Sequence, residues 1–154
     1  MRIDFQRSER LSSGADEAWA LVRDVVEVAR CLPNVERIEA VSDGRYRAVV
    51  SDAVGPFRVR LEIDLVVLAH DAERRLEVTL KGEDRRTKTR VSGTLTAAVD
   101  GAADEATLSI TARAEILGTL ATLGAGPIRR RTDEIFASVL PCLVARSAER
   151  PKNP

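Results

Sequence analysis

The chain has little of what catalytic and metal sites are built from. It contains one histidine and two cysteines among 154 residues. It lacks a glycine-rich phosphate loop, a nucleophile elbow and a residue pair at metal-ligand spacing. The one histidine, His70, stands beside Asp71 at an expected strand end, where a turn role is more ordinary than that of a general base. We therefore expect no catalytic residues, no metal site and no cofactor.

The chain also lacks net charge and long apolar runs. Lys plus Arg and Asp plus Glu both count 24, so there is no overall field to gather nucleic acid. Charged residues begin at Arg2, which leaves no apolar core for a signal peptide. No uncharged run approaches the about 18 residues needed to span a bilayer. We expect a cytoplasmic protein without a nucleic-acid partner.

The two cysteines, Cys31 and Cys142, have apolar neighbours. Their positions match neither a metal-ligand spacing nor a redox motif. Buried cysteines of this kind behave as small apolar side chains. The prediction is that both are reduced thiols.

The first part of the chain predicts one strand and two short helices. Residues 3–11 place apolar side chains among charges, and Ser12, Ser13 and Gly14 then end the strand. Apolar residues next recur at helical spacing, at Ala18, Leu21, Val22 and Val25. A weaker helical pattern covers residues 27–31 and ends before Pro33, since the residue before a proline resists helical geometry.

From residue 35 the period changes to two, which is typical of strands with one dry and one wet face. Residues 35–41 and 46–54, separated by a turn at Gly44, predict a hairpin. Residues 57–67 alternate most clearly, and three further segments repeat the pattern up to residue 116. About seven antiparallel strands are predicted in all.

The last third of the chain returns to a helical period. Leu117, Leu120 and Leu123 form one apolar strip, and a longer strip follows from Ile128. A break is expected near Gly126, with a new helix that begins at Pro127, because proline fits the first turn of a helix. Residues 1–146 are predicted to form one domain, and the polar residues 147–154 a disordered tail.

This order of patterns predicts an α+β fold in which a curved antiparallel sheet wraps round a long C-terminal helix. Such a sheet does not close fully on its helix, and the gap is a natural apolar cavity. The first hypothesis is a non-catalytic binder of hydrophobic molecules. The predicted ligand-binding residues are Val59, Leu61, Leu80, Val91, Leu95, Ile110, Leu117, Leu120, Leu123 and Ile128.

Several short motifs carry a resemblance to a known family. They are Ala18-Trp19-Ala20-Leu21, Cys31-Leu32-Pro33-Asn34-Val35-Glu36, Val41-Ser42-Asp43-Gly44, Val54-Gly55-Pro56-Phe57 and Gly118-Thr119-Leu120-Ala121-Thr122-Leu123-Gly124. Over roughly residues 1–145 the chain resembles the CoxG proteins of carbon monoxide dehydrogenase. These lie within the START-type helix-grip superfamily (SRPBCC, polyketide cyclase-like).

The resemblance implies an accessory protein of a molybdenum-containing carbon monoxide dehydrogenase or a related molybdenum hydroxylase. CoxG-type proteins are implicated in membrane recruitment and in handling a lipophilic quinone. A quinone- or lipid-like ligand is therefore expected, together with peripheral contact at the inner membrane face. Several members carry an extended C-terminal membrane-binding tail, which is not expected here because the sequence stops at Pro154.

Two alternatives remain at this stage. The same superfamily includes cyclase and aromatase enzymes, and that interpretation requires polar side chains such as Glu83, Arg86, Lys88 or Arg113 to point into the cavity. The other alternative is an adaptor without a ligand, which would show a filled interior and a large exposed apolar patch.

Overall fold

The alternating segments form one curved, antiparallel sheet of seven strands. The structure is a computed structural model, and it describes residues 1–149. The spatial order of the strands is β1-β7-β6-β5-β4-β3-β2. Their bounds are β1 Arg2–Leu11, β2 Val35–Ser42, β3 Arg45–Val54, β4 Phe57–His70, β5 Arg75–Asp84, β6 Thr89–Gly101 and β7 Ala106–Leu117. The predicted helix-grip fold is confirmed.

Three α-helices complete the fold, and they are α1 Ala15–Val22, α2 Val25–Ala29 and α3 Ala125–Glu149. The first two are the short helices predicted after the first strand. Helix α3 begins two residues before Pro127, so this proline lies in the first helical turn, as predicted. The helix also includes residues 147–149 of the segment predicted as a tail. Residues 150–154 of that segment lie outside the described residues.

Side-chain contacts attach α3 to two separate strands of the curved sheet. Phe136 of α3 stacks on Phe5 of β1 with ring centroids 4.3 Å apart. One turn earlier, Asp133 accepts a hydrogen bond from Arg7 of β1 at 2.8 Å. Arg131 of the same helix binds Asp52 of β3. The sheet therefore holds the helix from β1 and from β3.

The apolar core consists of two clusters. The larger one joins α1 and α3 to the middle of the sheet and includes Trp19, which is only 7% exposed. The Trp19 indole N–H donates to Asp71 at 3.0 Å, so burial leaves this polar group satisfied. The smaller cluster lies where α3 begins and includes Val59, Leu120 and Ile128.

The prediction of reduced cysteines is wrong. Cys31, just after α2, and Cys142, in α3, form a disulfide across 111 residues of sequence. The fold brings their Cα atoms to 5.6 Å, which lies within the range that a disulfide spans. Sequence spacing identifies only local cysteine pairs, and this pair meets because α3 crosses back over the loop that follows α2.

Candidate ligand-binding cavity

An apolar cavity of about 310 Å³ lies between the sheet, α2 and α3. Every lining side chain is Val, Leu, Ile, Ala or Phe. From the helices and the connecting segments these are Val22, Val25, Val28, Ala29, Leu32, Ile135, Phe136, Val139 and Leu143. From the strands they are Val35, Ile38, Ala48, Val50, Ile63, Leu65, Leu76, Val78, Leu80, Leu95, Ala97, Leu108 and Ile110.

The period of each element explains how these residues meet. Alternate residues of a strand face the same side of the sheet, so Ala48 and Val50 of β3 both line the cavity. In register beside Ala48 stands Ile63 of β4, and both side chains face inward. On α3 the lining residues recur three or four positions apart, which places them on one face of the helix. The cavity is thus the meeting of one sheet face and one helix face.

An ion pair lies between the cavity and the smaller apolar cluster. The Arg131 Nε atom lies 2.9 Å and 3.0 Å from the two carboxylate oxygens of Asp52, and its Nη2 atom lies 2.8 Å from Oδ1. Along β3, Asp52 stands between the cavity residue Val50 and Val54 of the smaller cluster. The Asp52–Arg131 pair is therefore a polar contact between the two apolar regions.

The surroundings of Arg131 stabilise its charge. The hydrogen bond to Asp52 raises the pKa of Arg131, and a second hydrogen bond, to Glu134 at 3.1 Å, raises it further. Side-chain exposure is 11% for Asp52 and 30% for Arg131, so the carboxylate is the more deeply buried partner. Neither residue lines the cavity.

Three of the predicted ligand-binding residues line the cavity, and they are Leu80, Leu95 and Ile110. The other seven lie elsewhere. Five belong to the smaller cluster or pack against it, and they are Val59, Val91, Leu120, Leu123 and Ile128. Leu61 is buried without lining the cavity, and Leu117 is 50% exposed.

Position along an element explains these differences. Inward residues of β4 face two different environments, because the strand is 14 residues long and crosses both apolar regions. Val59 therefore packs in the smaller cluster, whereas Ile63 lines the cavity. Leu117 ends β7 and faces outward, into a charged surface groove beside Arg90 and Glu115. Leu117 and the residues after it have a helical period in the sequence, so the sequence does not show that Leu117 lies on the outward face.

Sequence reasoning missed the contribution of α2 and the turn after it. Val25, Val28, Ala29 and Leu32 come from this short segment and form one wall of the cavity. The sequence shows the helical pattern, but nothing in it indicates which part of the sheet the segment covers. It also shows the inward alternation of β3 and β4, and extending that alternation would have found Ala48 and Ile63.

The polar residues that would favour an enzyme lie outside the cavity. Glu83 lines the charged surface groove, and the Arg113 side chain donates to Asp4 at 3.0 Å on the exposed surface. Arg86 donates to the carbonyl of Arg58. His70, at the end of β4, and Tyr46, in β3, do not line the cavity either.

The described part of the chain, residues 1–149, offers neither a metal cluster nor a membrane-spanning helix. Within it no three His, Cys, Asp or Glu side chains stand close enough to hold a metal ion. None of its helices combines the length and the apolar character that crossing a bilayer requires.

Comparisons with known proteins identify the family and the fold. Residues 8–147 match the family model of CoxG, a subunit of carbon monoxide dehydrogenase. Comparison with curated protein sequences gives no match.

Three solved structures illustrate the similarity of fold. A conserved protein from Geobacillus kaustophilus is 14% identical, with a TM-score of 0.85 over 96% of both chains. A START superfamily protein from Mycobacterium smegmatis is 13% identical, with a TM-score of 0.71 over 95% of this chain and 97% of that one. The Zhui aromatase/cyclase from a Streptomyces species is 13% identical, with a TM-score of 0.68 over 97% and 96%.

Proposed function

Because the chain belongs to the CoxG family of carbon monoxide dehydrogenase proteins, we propose that it binds a small hydrophobic molecule in the cavity and carries it without chemical change. The observation that carries this proposal is the wholly apolar lining of the cavity. Apolar walls supply dispersion and desolvation, which favour binding, but no group that moves a proton or attacks a carbonyl.

The cavity limits the size and polarity of the ligand. A volume of about 310 Å³ corresponds to roughly ten methylene-sized groups, at the about 30 Å³ that a water-sized group occupies in a liquid. A polar group buried there would lose its hydrogen bonds to water without replacement. The ligand class that fits is quinone- or lipid-like, with a ring or short chain inside the cavity and its polar atoms in contact with solvent.

The proposed partner enzyme is inferred from the family to which the chain belongs. We propose that the protein serves a molybdenum-containing carbon monoxide dehydrogenase-type enzyme as an accessory. Quinones and lipids reside in membranes, so a carrier of such a ligand must contact a bilayer at its surface to load or unload. The proposed site of action is the cytoplasmic face of the inner membrane, with peripheral contact.

The competing functions have weaker support. One of the proteins of similar fold is named as an aromatase/cyclase, but Glu83 and Arg113 point away from the cavity of this chain. An adaptor without a ligand would have a filled interior, whereas this interior is hollow next to Ala48 and Ala97.

The test is to fill the cavity from one strand and to place the same ring elsewhere on that strand as a control. Ala48 is 4% exposed and faces the cavity. In Ala48→Phe the six added carbon atoms would occupy more than half of the cavity, at roughly the same volume per group. Ala53 lies five residues further along β3 and is exposed, so Ala53→Phe adds an equal ring outside.

Binding would be measured with two probes, a menaquinone carrying one isoprene unit and dodecanoic acid. Quenching of Trp19 fluorescence reports the quinone, and calorimetry reports the acid. We expect at least a tenfold loss of affinity in Ala48→Phe and no change in Ala53→Phe. Ala97→Leu, which adds volume to the cavity from β6, is the second variant if Ala48→Phe does not fold. Equal affinity in the variants and the wild type, or no binding of either probe, would overturn the proposal.

A further inference from the structure

One wall of the cavity is a short segment with little stability of its own. Residues 25–35, which we call the lid, comprise α2, the turn after it and the first residue of β2. Helix α2 has five residues, three of them valine. A helix this short is unstable in isolation, and valine is a weak helix former. The position of the lid therefore depends on its contacts with the rest of the fold.

Two side-chain ties hold the lid to neighbouring positions of α3. The first is the disulfide between Cys31, near the end of the lid, and Cys142. The second is an ion pair between Glu27 of α2 and Arg146, which is four residues after Cys142 in α3. Partly exposed ion pairs contribute little. The covalent tie is thus the stronger of the two.

The disulfide stands at the boundary of the cavity. Leu32 and Leu143, the residues that follow the two cysteines, both line the cavity. The bond joins the lid to the helix face that forms the adjacent wall. Reduction of the disulfide removes the covalent link between these two walls of the cavity.

We propose that the Cys31–Cys142 disulfide is a redox-reactive latch, which a dithiol reductant opens so that the lid can move and an apolar ligand can exchange with the cavity. The inference rests on the proposed function, because it concerns the same cavity. It adds the chemical class of a second partner, a dithiol, and a form of regulation.

Exchange of the disulfide begins at the more exposed of the two cysteine residues. Cys142 is half-buried and Cys31 is 6% exposed, so a thiolate of the reductant attacks the Cys142 sulfur. The S–S bond breaks, and Cys31 leaves as a thiolate and takes up a proton. The second thiolate of the reductant attacks the mixed disulfide and releases Cys142, which also takes up a proton. Two electrons pass to the protein, and the reductant becomes a disulfide.

The first experiment measures lid motion without any ligand. Hydrogen exchange would be followed on peptides covering residues 25–35 in the oxidised protein and after treatment with dithiothreitol, with two free thiols confirmed by titration. We expect at least tenfold faster exchange in the lid after reduction, and unchanged exchange in residues 75–101 of β5 and β6. Unchanged lid exchange in fully reduced protein, or a disulfide that dithiothreitol opens only in denaturant, would overturn the latch.

The second experiment measures release. Oxidised protein and reduced protein freed of dithiothreitol would be loaded with the menaquinone carrying one isoprene unit and mixed with phosphatidylcholine vesicles, with recovery of Trp19 fluorescence as the readout. We expect at least tenfold faster release from the reduced protein. The variant Cys31→Ser/Cys142→Ser should release at that rate with or without reductant. The reduced wild type supplies the same comparison if this variant does not fold.

The two experiments separate the two proposals. A lid that loosens on reduction while release changes less than twofold refutes gating and leaves ligand binding intact. Absence of binding in both redox states refutes the proposed function, and hydrogen exchange then still decides whether the latch exists.

Discussion

Reduction of the Cys31–Cys142 disulfide should lower the free energy of unfolding by about 3 to 5 kcal/mol. The bond closes a loop across 111 residues. In the chain-entropy description, a cross-link over about 100 residues removes about 4.7 kcal/mol of entropy from the unfolded chain, and native disulfides commonly deliver about 2 to 5 kcal/mol. For a chain of this length, each kcal/mol shifts the melting temperature by about 2 to 4 °C. The expected decrease is therefore roughly 10 °C.

The assay is urea unfolding of the oxidised and the reduced protein, followed by Trp19 fluorescence and far-ultraviolet circular dichroism. The urea dependence should also steepen on reduction, because the unfolded chain without the cross-link exposes more surface. Reduction is a cleaner comparison than mutation, since it leaves the packing atoms in place. The matched control is Cys31→Ala/Cys142→Ala, whose stability should not respond to reductant.

A difference below about 1 kcal/mol, with both thiols free by titration, would refute this reasoning. It would mean that the two cysteines remain together without the bond, or that the unfolded chain is already compact. Either result would also weaken the proposal that the lid responds to reduction, since the disulfide would then contribute little to the stability of the fold.

Two further predictions concern buried carboxylates. Burial alone would raise the pKa of Asp84, but backbone N–H groups of Arg60 and Thr87 donate to it, and the net effect lowers its pKa. This stabilisation is present above the unfolded-state pKa of about 3.9 and is lost as the pH falls through the folded-state pKa. Asp84→Asn should cost about 1 to 3 kcal/mol at pH 7, and urea unfolding at pH 3 should show a smaller deficit; an equal deficit would contradict this. At the Asp52–Arg131 pair, Arg131→Met should destabilise more than Asp52→Asn, because it leaves the more buried partner without its cation. Urea unfolding of both variants and the double variant measures the difference, and the reverse order would show the assignment of burial to be wrong.

The general architecture was predictable because each element has its own period. The alternation along residues 57–67 and the helical spacing of Ala18, Leu21 and Val22 are local properties, and the structure contains β4 and α1 at these positions. The first turn of α3 was likewise predictable from Pro127, because proline is favoured in the first turn of a helix.

The sequence predicts an apolar cavity, but it does not show which residues line that cavity. Alternation shows that Val59 and Ile63 share one face of β4, but not that Val59 meets the start of α3 while Ile63 meets empty space. That difference depends on where α3 crosses the sheet. It also depends on the Asp52–Arg131 pair, whose members are 79 residues apart.

The sequence by itself determined the order and type of the elements, since hydrophobic period, proline and glycine act within a few residues. It also determined the alternation that makes the inward faces mainly apolar. Only the tertiary structure decided which inward residues line the cavity, that α2 forms a wall of it, and that Cys31 meets Cys142. These are contacts between distant parts of the chain, and they exist only because the curvature of the sheet and the path of α3 bring those parts together.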